Sequence, residues 1–66
     1  MLVYVNGQKE TWSESQTLSA WLESQGMLGR RIAVELNGEI VPKSRLDQVK
    51  VKEQDAIEVI AAIGGG

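Results

Sequence analysis

The sequence contains two Asn-Gly dipeptides, Asn6-Gly7 and Asn37-Gly38, each preceded by a short stretch rich in apolar residues. A two-residue hairpin loop of type I′ requires positive φ at both central residues. Asparagine tolerates that conformation and glycine adopts it freely, so each dipeptide predicts a tight β-hairpin. Leu2-Val3-Tyr4-Val5 and Gln8 to Trp12 are the expected arms of the first. Ile32, Val34 and Leu36, alternating with Ala33 and Glu35, and then Glu39-Ile40-Val41 are those of the second. With 66 residues in all, the chain has room for one domain, which must be organised around these two turns.

Between the hairpins, Leu18, Trp21 and Leu22 recur at i, i+3, i+4 spacing, one apolar face of a helix. Thr17 is a candidate N-cap and Gly26 a stop, giving a helix over about 17–25. A helix this short does not persist alone and must pack on the sheet. Pro42 has no N–H to give to a ladder, so pairing should weaken there, and Lys43 to Gln48 reads as a turn or a single helical turn. Val49 and Val51 alternate with Lys50 and Lys52, the pattern of a short edge strand with its charges outward. Glu53-Gln54-Asp55 is a turn. Ala56 to Ile63 is the most apolar run and is expected to be a central strand. Ile57, Val59, Ala61 and Ile63 share one of its faces; Ala56, Glu58, Ile60 and Ala62 share the other. In the first strand Met1, Val3 and Val5 are the core candidates, with Leu2 and Tyr4 on the outer face. The element order predicts an α+β fold, a mixed sheet of four to five strands with one main helix across one face and the last strand beside the first. That is the β-grasp (ubiquitin-like) arrangement, expected over residues 1–63, with 64–66 as a flexible glycine tail.

Composition narrows the chemistry. The chain has no histidine and no cysteine. The commonest general base and metal ligand is therefore missing, along with disulfides, thiolate metal sites and cysteine nucleophiles. Seven basic and nine acidic residues give a net charge of −2. The basic residues are scattered, which disfavours nucleic acid. No apolar run has the length of a membrane span, and Met1 to Val5 reads as a strand instead of a signal peptide. A soluble cytoplasmic protein is the expectation. A domain of this mass buries only about 60% of its unfolded surface, which leaves little room for an enclosed pocket beside the core. Function is expected on a surface or at a chain end, in a protein that is not itself an enzyme.

The end is Gly64-Gly65-Gly66. Without Cβ atoms, three glycines can thread a narrow slot and approach another backbone closely. As the terminal residue, Gly66 would carry an α-carboxylate of pKa about 3.3–3.7, ionised at neutral pH. A carboxylate is a poor acyl donor until it attacks the α-phosphate of ATP and becomes an acyl adenylate, which sulfur or an amine can displace. This chain has no phosphate-cradling G-x-x-x-x-G-K-[ST] loop, so ATP would be bound by a partner enzyme and no cofactor by this protein. An inert terminus is the competing reading.

Three stretches resemble a known family: Ala33-Val34-Glu35-Leu36-Asn37-Gly38-Glu39-Ile40-Val41-Pro42-Lys43; Asp55-Ala56-Ile57-Glu58-Val59-Ile60 with the Ile63-Gly64-Gly65-Gly66 ending; and Val5-Asn6-Gly7 with Thr17-Leu18 and Leu22 beyond it. Together, over essentially the whole chain, they are similar to the ThiS family, the small sulfur carriers of thiamine biosynthesis. The resemblance implies that the Gly66 carboxylate is adenylated by a ThiF-like adenylyltransferase. Sulfur originating from cysteine through a cysteine desulfurase then replaces the adenylate, and the thiocarboxylate supplies a ThiG-like thiazole synthase. Gly64 and Gly65 would keep the end slim enough for both partners. The family often has glycine where this chain has Gln54, which implies a less positive φ at that position here. An aromatic residue is common near Leu46 and a basic one near Ala61.

Leu2, Tyr4, Ile60 and Ala62, on the outer face of adjacent strands, are a candidate partner-docking patch beside the tail. Trp12 and Trp21 are expected in the core. Glu53, Asp55 and Glu58 are expected to be a solvated turn, with cation binding or a basic partner as the alternatives. Lys43 and Arg45 are candidate contacts for an activating enzyme that no sequence signal singles out. Alternatives to the thiamine route are the sulfur carrier of molybdopterin synthesis, a ubiquitin-like protein modifier, and a β-grasp interaction module with an idle tail.

Overall fold

Both Asn-Gly pairs turn with the required dihedral signs. Asn6 and Gly7 have φ of 51° and 82°, and Asn37 and Gly38 of 53° and 87°. The computed structural model describes residues 1–61. In it the turns join β1 (Leu2–Val5) to β2 (Gln8–Thr11) and β3 (Ile32–Leu36) to β4 (Glu39–Val41), each pair antiparallel. β5 (Ala56–Ala61) lies between the hairpins, parallel to β1 and antiparallel to β3. The order β2-β1-β5-β3-β4 is the expected mixed β-grasp sheet, with the last strand at its centre. Ala62 and Ile63, read as the end of that strand, and Gly64, Gly65 and Gly66 lie outside the described residues.

The helix α1 (Leu18–Ser24) starts at Thr17, whose Oγ1 accepts from the Ala20 N–H at 3.1 Å, and it stops before Gly26 at φ +71°. Leu18, Trp21 and Leu22 form one core cluster with Val3, Val34 and Ile57 of the sheet and with Trp12, Leu46 and Val51. Leu18, Leu22, Val3, Val51 and Ile57 are fully buried. The Trp12 and Trp21 rings stack at 5.9 Å between centroids and 27° between planes, so both tryptophans are core residues. At ~0.05–0.15 kcal/mol per residue a domain of this size has only a few kcal/mol in hand. Truncating one buried leucine to alanine, at about 2–5 kcal/mol, would consume most of it. No helix among the described residues is long and apolar enough to cross a membrane.

Two expectations fail for physical reasons. Residues 49–52 do not join the sheet. Pro42 ends β4 and leads into a 3-10 turn at Lys43–Arg45, after which the chain crosses to the start of α1. There the Leu46 and Val49 carbonyls accept from Ser19 and Leu18, both at 3.0 Å, and the Val51 N–H donates to Gln16 at 3.0 Å. An isolated bridge pairs Thr17 with Lys50. The first N–H groups of a helix have no partner within it, and this segment supplies two of those partners. Val51 is still buried and both lysines are exposed, so the alternation was correct although the partner was not the sheet.

The second concerns Gln54, which adopts φ +68° instead of a less positive value. Its N–H donates to the Leu2 carbonyl at 2.6 Å, and Asp55 closes the turn by accepting from the Lys52 N–H at 2.7 Å. Tertiary hydrogen bonds thus impose a left-handed residue where a side chain disfavours it by roughly 1–2 kcal/mol. Gln54→Gly should relieve that strain, partly offset by the added freedom of the unfolded chain. The expected net gain is about 0.5–1 kcal/mol, read as a rise in the thermal unfolding midpoint.

Candidate functional site

The strand that precedes the glycine end is the most constrained element of the sheet. On one side the Asn6 N–H donates to the Ile57 carbonyl at 2.8 Å, and on the other the Asn37 N–H donates to Ala56 at 2.8 Å. The two asparagine side chains then extend the ladders. Asn6 Oδ1 accepts from the Val59 N–H at 2.9 Å, beyond the end of β1. Asn37 Oδ1 accepts from the Ala56 N–H at 2.9 Å, while its Nδ2 donates to Asp55 Oδ1 at 3.0 Å. Each turn therefore makes its hairpin and fastens it to β5. Sequence reading assigned these asparagines to the turns and missed the clamps. The available signal was the choice of Asn, with both a donor and an acceptor, at a left-handed position where Gly would also fit.

The open face of the sheet holds Leu2, Tyr4 and Ile60, but the register separates them. Tyr4 sits opposite Ala56, so Ile60 is four residues farther along β5, roughly 13 Å away at ~3.3 Å per residue. Leu2 lies farther still. Ile60 stands opposite Ala33 instead. The same face carries Ile40, opposite Glu35 on β4, and among the described residues Ile40 and Ile60 are the sheet's exposed large apolar side chains, 68% and 50% accessible. The two-residue turn at Asn37-Gly38 fixes the pairing of Glu35 with Ile40, so that neighbour was readable from the sequence. Between the isoleucines, Glu35 and Glu58 stand directly opposite one another, a like-charge pair that opposes sheet stability. The patch is thus an acidic centre framed by Ile40 and Ile60, with Tyr4 and Leu2 at the far end. Ala62 lies outside the described residues.

Glu53 and Asp55 are used structurally. Both Glu53 carboxylate oxygens accept from the Leu2 N–H, at 3.1 and 3.2 Å, and Asp55 closes its turn. Among the described residues no group of three His, Cys, Asp or Glu side chains is placed to hold a metal ion. The arrangement that remains is a rigid central strand running in sequence to three glycines, beside an apolar and acidic face. Gly64, Gly65 and Gly66, the residues expected to carry the chemistry, lie outside the described residues.

A family model described as the ThiS family matches residues 2–66. The sulfur carrier protein ThiS of Bacillus subtilis (strain 168) is 30% identical over 66 residues, 98% of this chain and 100% of that one. A thiazole synthase of Paramagnetospirillum magneticum is 46% identical over 66 residues, all of this chain but 20% of the synthase. A second thiazole synthase, from Magnetococcus marinus, gives 33% over the same 20% share. The chain therefore spans about one fifth of the length of these synthases. The crystal structure of the thiamine biosynthesis protein ThiS from Geobacter metallireducens superposes with a TM-score of 0.87 at 33% identity, covering 100% of both chains.

Two measurements test this geometry. Asn37→Gly keeps the positive φ and deletes only the clamp, so it should cost about 1 kcal/mol and lower the unfolding midpoint by about 4–8 °C. Glu35→Gln should raise the midpoint by removing the repulsion with Glu58, with a gain that shrinks as salt is added.

Proposed function

The chain belongs to the ThiS family, and from that premise we propose that it is a sulfur carrier for thiazole formation in thiamine biosynthesis, a reagent consumed and regenerated by partner enzymes. The observation that carries the proposal is the match over residues 2–66, which runs through the Gly64-Gly65-Gly66 ending to a relative of equal extent named as a sulfur carrier.

The proposed chemistry is that of the terminal main chain. A carboxylate oxygen of Gly66 attacks the α-phosphorus of ATP, pyrophosphate leaves, and an acyl adenylate forms in the site of a ThiF-like adenylyltransferase. A persulfide, its outer sulfur drawn from cysteine by a desulfurase that releases alanine, adds to the acyl carbon. AMP departs with the oxygen, leaving an acyl disulfide, and a thiol reductant cleaves that S–S bond to free the thiocarboxylate, the thiol ending as a disulfide with the sulfur donor. No side chain of this protein is needed as base or nucleophile, in keeping with a chain that has neither histidine nor cysteine. The thiocarboxylate is then spent at a ThiG-like thiazole synthase. The occurrence of a similar domain within proteins named thiazole synthase supports that acceptor. β5 supports the reading mechanically, since a strand paired on both sides gives the following residues a fixed origin. Gly64 and Gly65 would let the end pass through slots too narrow for side chains.

Intact-mass spectrometry of the protein from its own cells should find a fraction with one oxygen replaced by sulfur. Removal of Gly66 should abolish adenylation by the cognate adenylyltransferase while leaving the circular dichroism spectrum unchanged. Adenylation that survives the deletion would overturn the proposal. Conjugates of higher mass joined through Gly66 would instead identify a protein modifier. Normal growth of a deletion strain without thiamine, with no parallel carrier present, would remove the pathway assignment.

A further inference from the structure

The two Asn-Gly turns are closely matched. Asn6 and Asn37 have φ of 51° and 53°, and each is followed by a left-handed glycine. Both asparagines and both glycines are exposed. Each asparagine donates its main-chain N–H to a β5 carbonyl at 2.8 Å, and each accepts a β5 N–H on Oδ1 at 2.9 Å. The difference lies at Nδ2. Asn37 Nδ2 donates to the Asp55 carboxylate at 3.0 Å, and that carboxylate is itself held by the Lys52 N–H at 2.7 Å. Asn6 Nδ2 has no hydrogen-bond partner among the described residues.

Asn-Gly is also the dipeptide in which the main chain most readily attacks the preceding side chain, because glycine has no Cβ to obstruct the approach. The glycine nitrogen bonds to the asparagine Cγ and the Cγ–Nδ2 bond breaks. Nδ2 leaves as ammonia, taking the proton of the glycine N–H, and a five-membered succinimide remains. Water then opens the ring at one of its two carbonyls, giving aspartate or its β-linked isomer. The net change is a carboxamide and water to a carboxylic acid and ammonia. The carboxamide must turn away from its native contacts to be attacked, and negative charge builds on Oδ1 as the new bond forms. A charge-assisted hydrogen bond opposes the first step, and a neighbouring anion opposes the second. Asp55 supplies both at Asn37, whereas no such contact holds Asn6 Nδ2.

We propose that Asn6-Gly7 is a site of spontaneous deamidation in the folded chain, and that the Asp55 carboxylate shields the otherwise matched Asn37-Gly38. The reaction is independent of the sulfur-carrier role and uses no reactant besides water. Either product adds one negative charge to a chain whose formal net charge is −2. The shield stands where the product would do more damage. An aspartate at position 6 keeps an oxygen that can accept the Val59 N–H. An aspartate at position 37 loses the donor to Asp55 and sets two carboxylates against each other, an arrangement that disfavours the charged form of both.

The test incubates the full chain in mildly alkaline buffer, folded and in urea. Ion exchange separates the more acidic products, and peptide mass spectrometry locates each exchange of NH2 for OH. In the folded chain Asn6 should react about fivefold or more faster than Asn37, and in urea the two should react at similar rates. Asp55→Ser removes the carboxylate and retains a hydroxyl to close the turn. It should bring Asn37 toward the rate of Asn6 and leave Asn6 unchanged. Asn37 reacting as fast as Asn6 in the folded parent overturns the proposal, as does a folded chain in which neither site reacts. An equal excess at Asn6 in urea would trace the order to local sequence and also overturn it. In Asp55→Ser, an unchanged rate at Asn37, or an equal rise at Asn6 that reports a loosened fold, removes Asp55 as the shield.

Discussion

The fold depends on the hydrogen bonding of β5. Among the described residues that strand alone has partners supplied by both hairpins, and the asparagines of both turns extend its ladders with their side chains. Each asparagine meets two requirements. Its backbone takes the left-handed conformation that reverses the chain in two residues, and its carboxamide replaces a ladder partner the neighbouring strand is too short to provide. A glycine would meet the first requirement alone. In a chain of 66 residues, where core burial leaves a margin of only a few kcal/mol, locking three segments with two side chains adds order without adding length.

A similar reciprocity holds the helix. α1 has seven residues, too few to be stable in isolation, and its first N–H groups are met by the Thr17 hydroxyl and by the carbonyls of Leu46 and Val49. The segment after β4 is thus spent on closing the helix end and covering the core with Leu46 and Val51 instead of widening the sheet. The outer strands remain narrow. β2 is polar and exposed along its whole length, and β4 has three residues ended by Pro42. Short, charged or proline-terminated edges resist pairing with a second chain.

The sequence was legible where one local requirement had one solution. Asn-Gly demanded the hairpins, and the spacing of Leu18, Trp21 and Leu22 demanded a helix facing the core. The apolar run from Ala56 fits only a central strand, and the order of these pieces then left little choice of architecture. It was less legible where long-range partners decided. The alternation of Val49 and Val51 reported correctly which residues are buried, but it does not distinguish a sheet from a helix end as the hydrogen-bonding partner. Gln54 is left-handed because Leu2, 52 positions earlier in the numbering, accepts its N–H, and nothing local announces that. The outer-face patch required a register. Parity placed Leu2, Tyr4 and Ile60 on one face, but only the pairing of Tyr4 with Ala56 shows them to be far apart, and only the pairing of Glu35 with Ile40 brings in the missed residue.

The two faces beside β5 differ in sign. One presents Ile40 and Ile60 around the opposed carboxylates of Glu35 and Glu58. The other presents Leu28 over a recess rimmed by Arg30 and Lys43. Under the carrier reading the same terminal glycine must enter one active site to be activated and another to be spent, so the end itself, having no side chains, cannot tell those sites apart. Discrimination then has to come from the body of the domain, where charges of opposite sign penalise the wrong juxtaposition as much as they favour the right one. The Glu35–Glu58 pair fits this logic. It opposes folding, yet it lies where an incoming cation would turn repulsion into attraction. On that reading the chemistry lies with the partners and the specificity in surface charge, so the chain's own composition can omit histidine and cysteine.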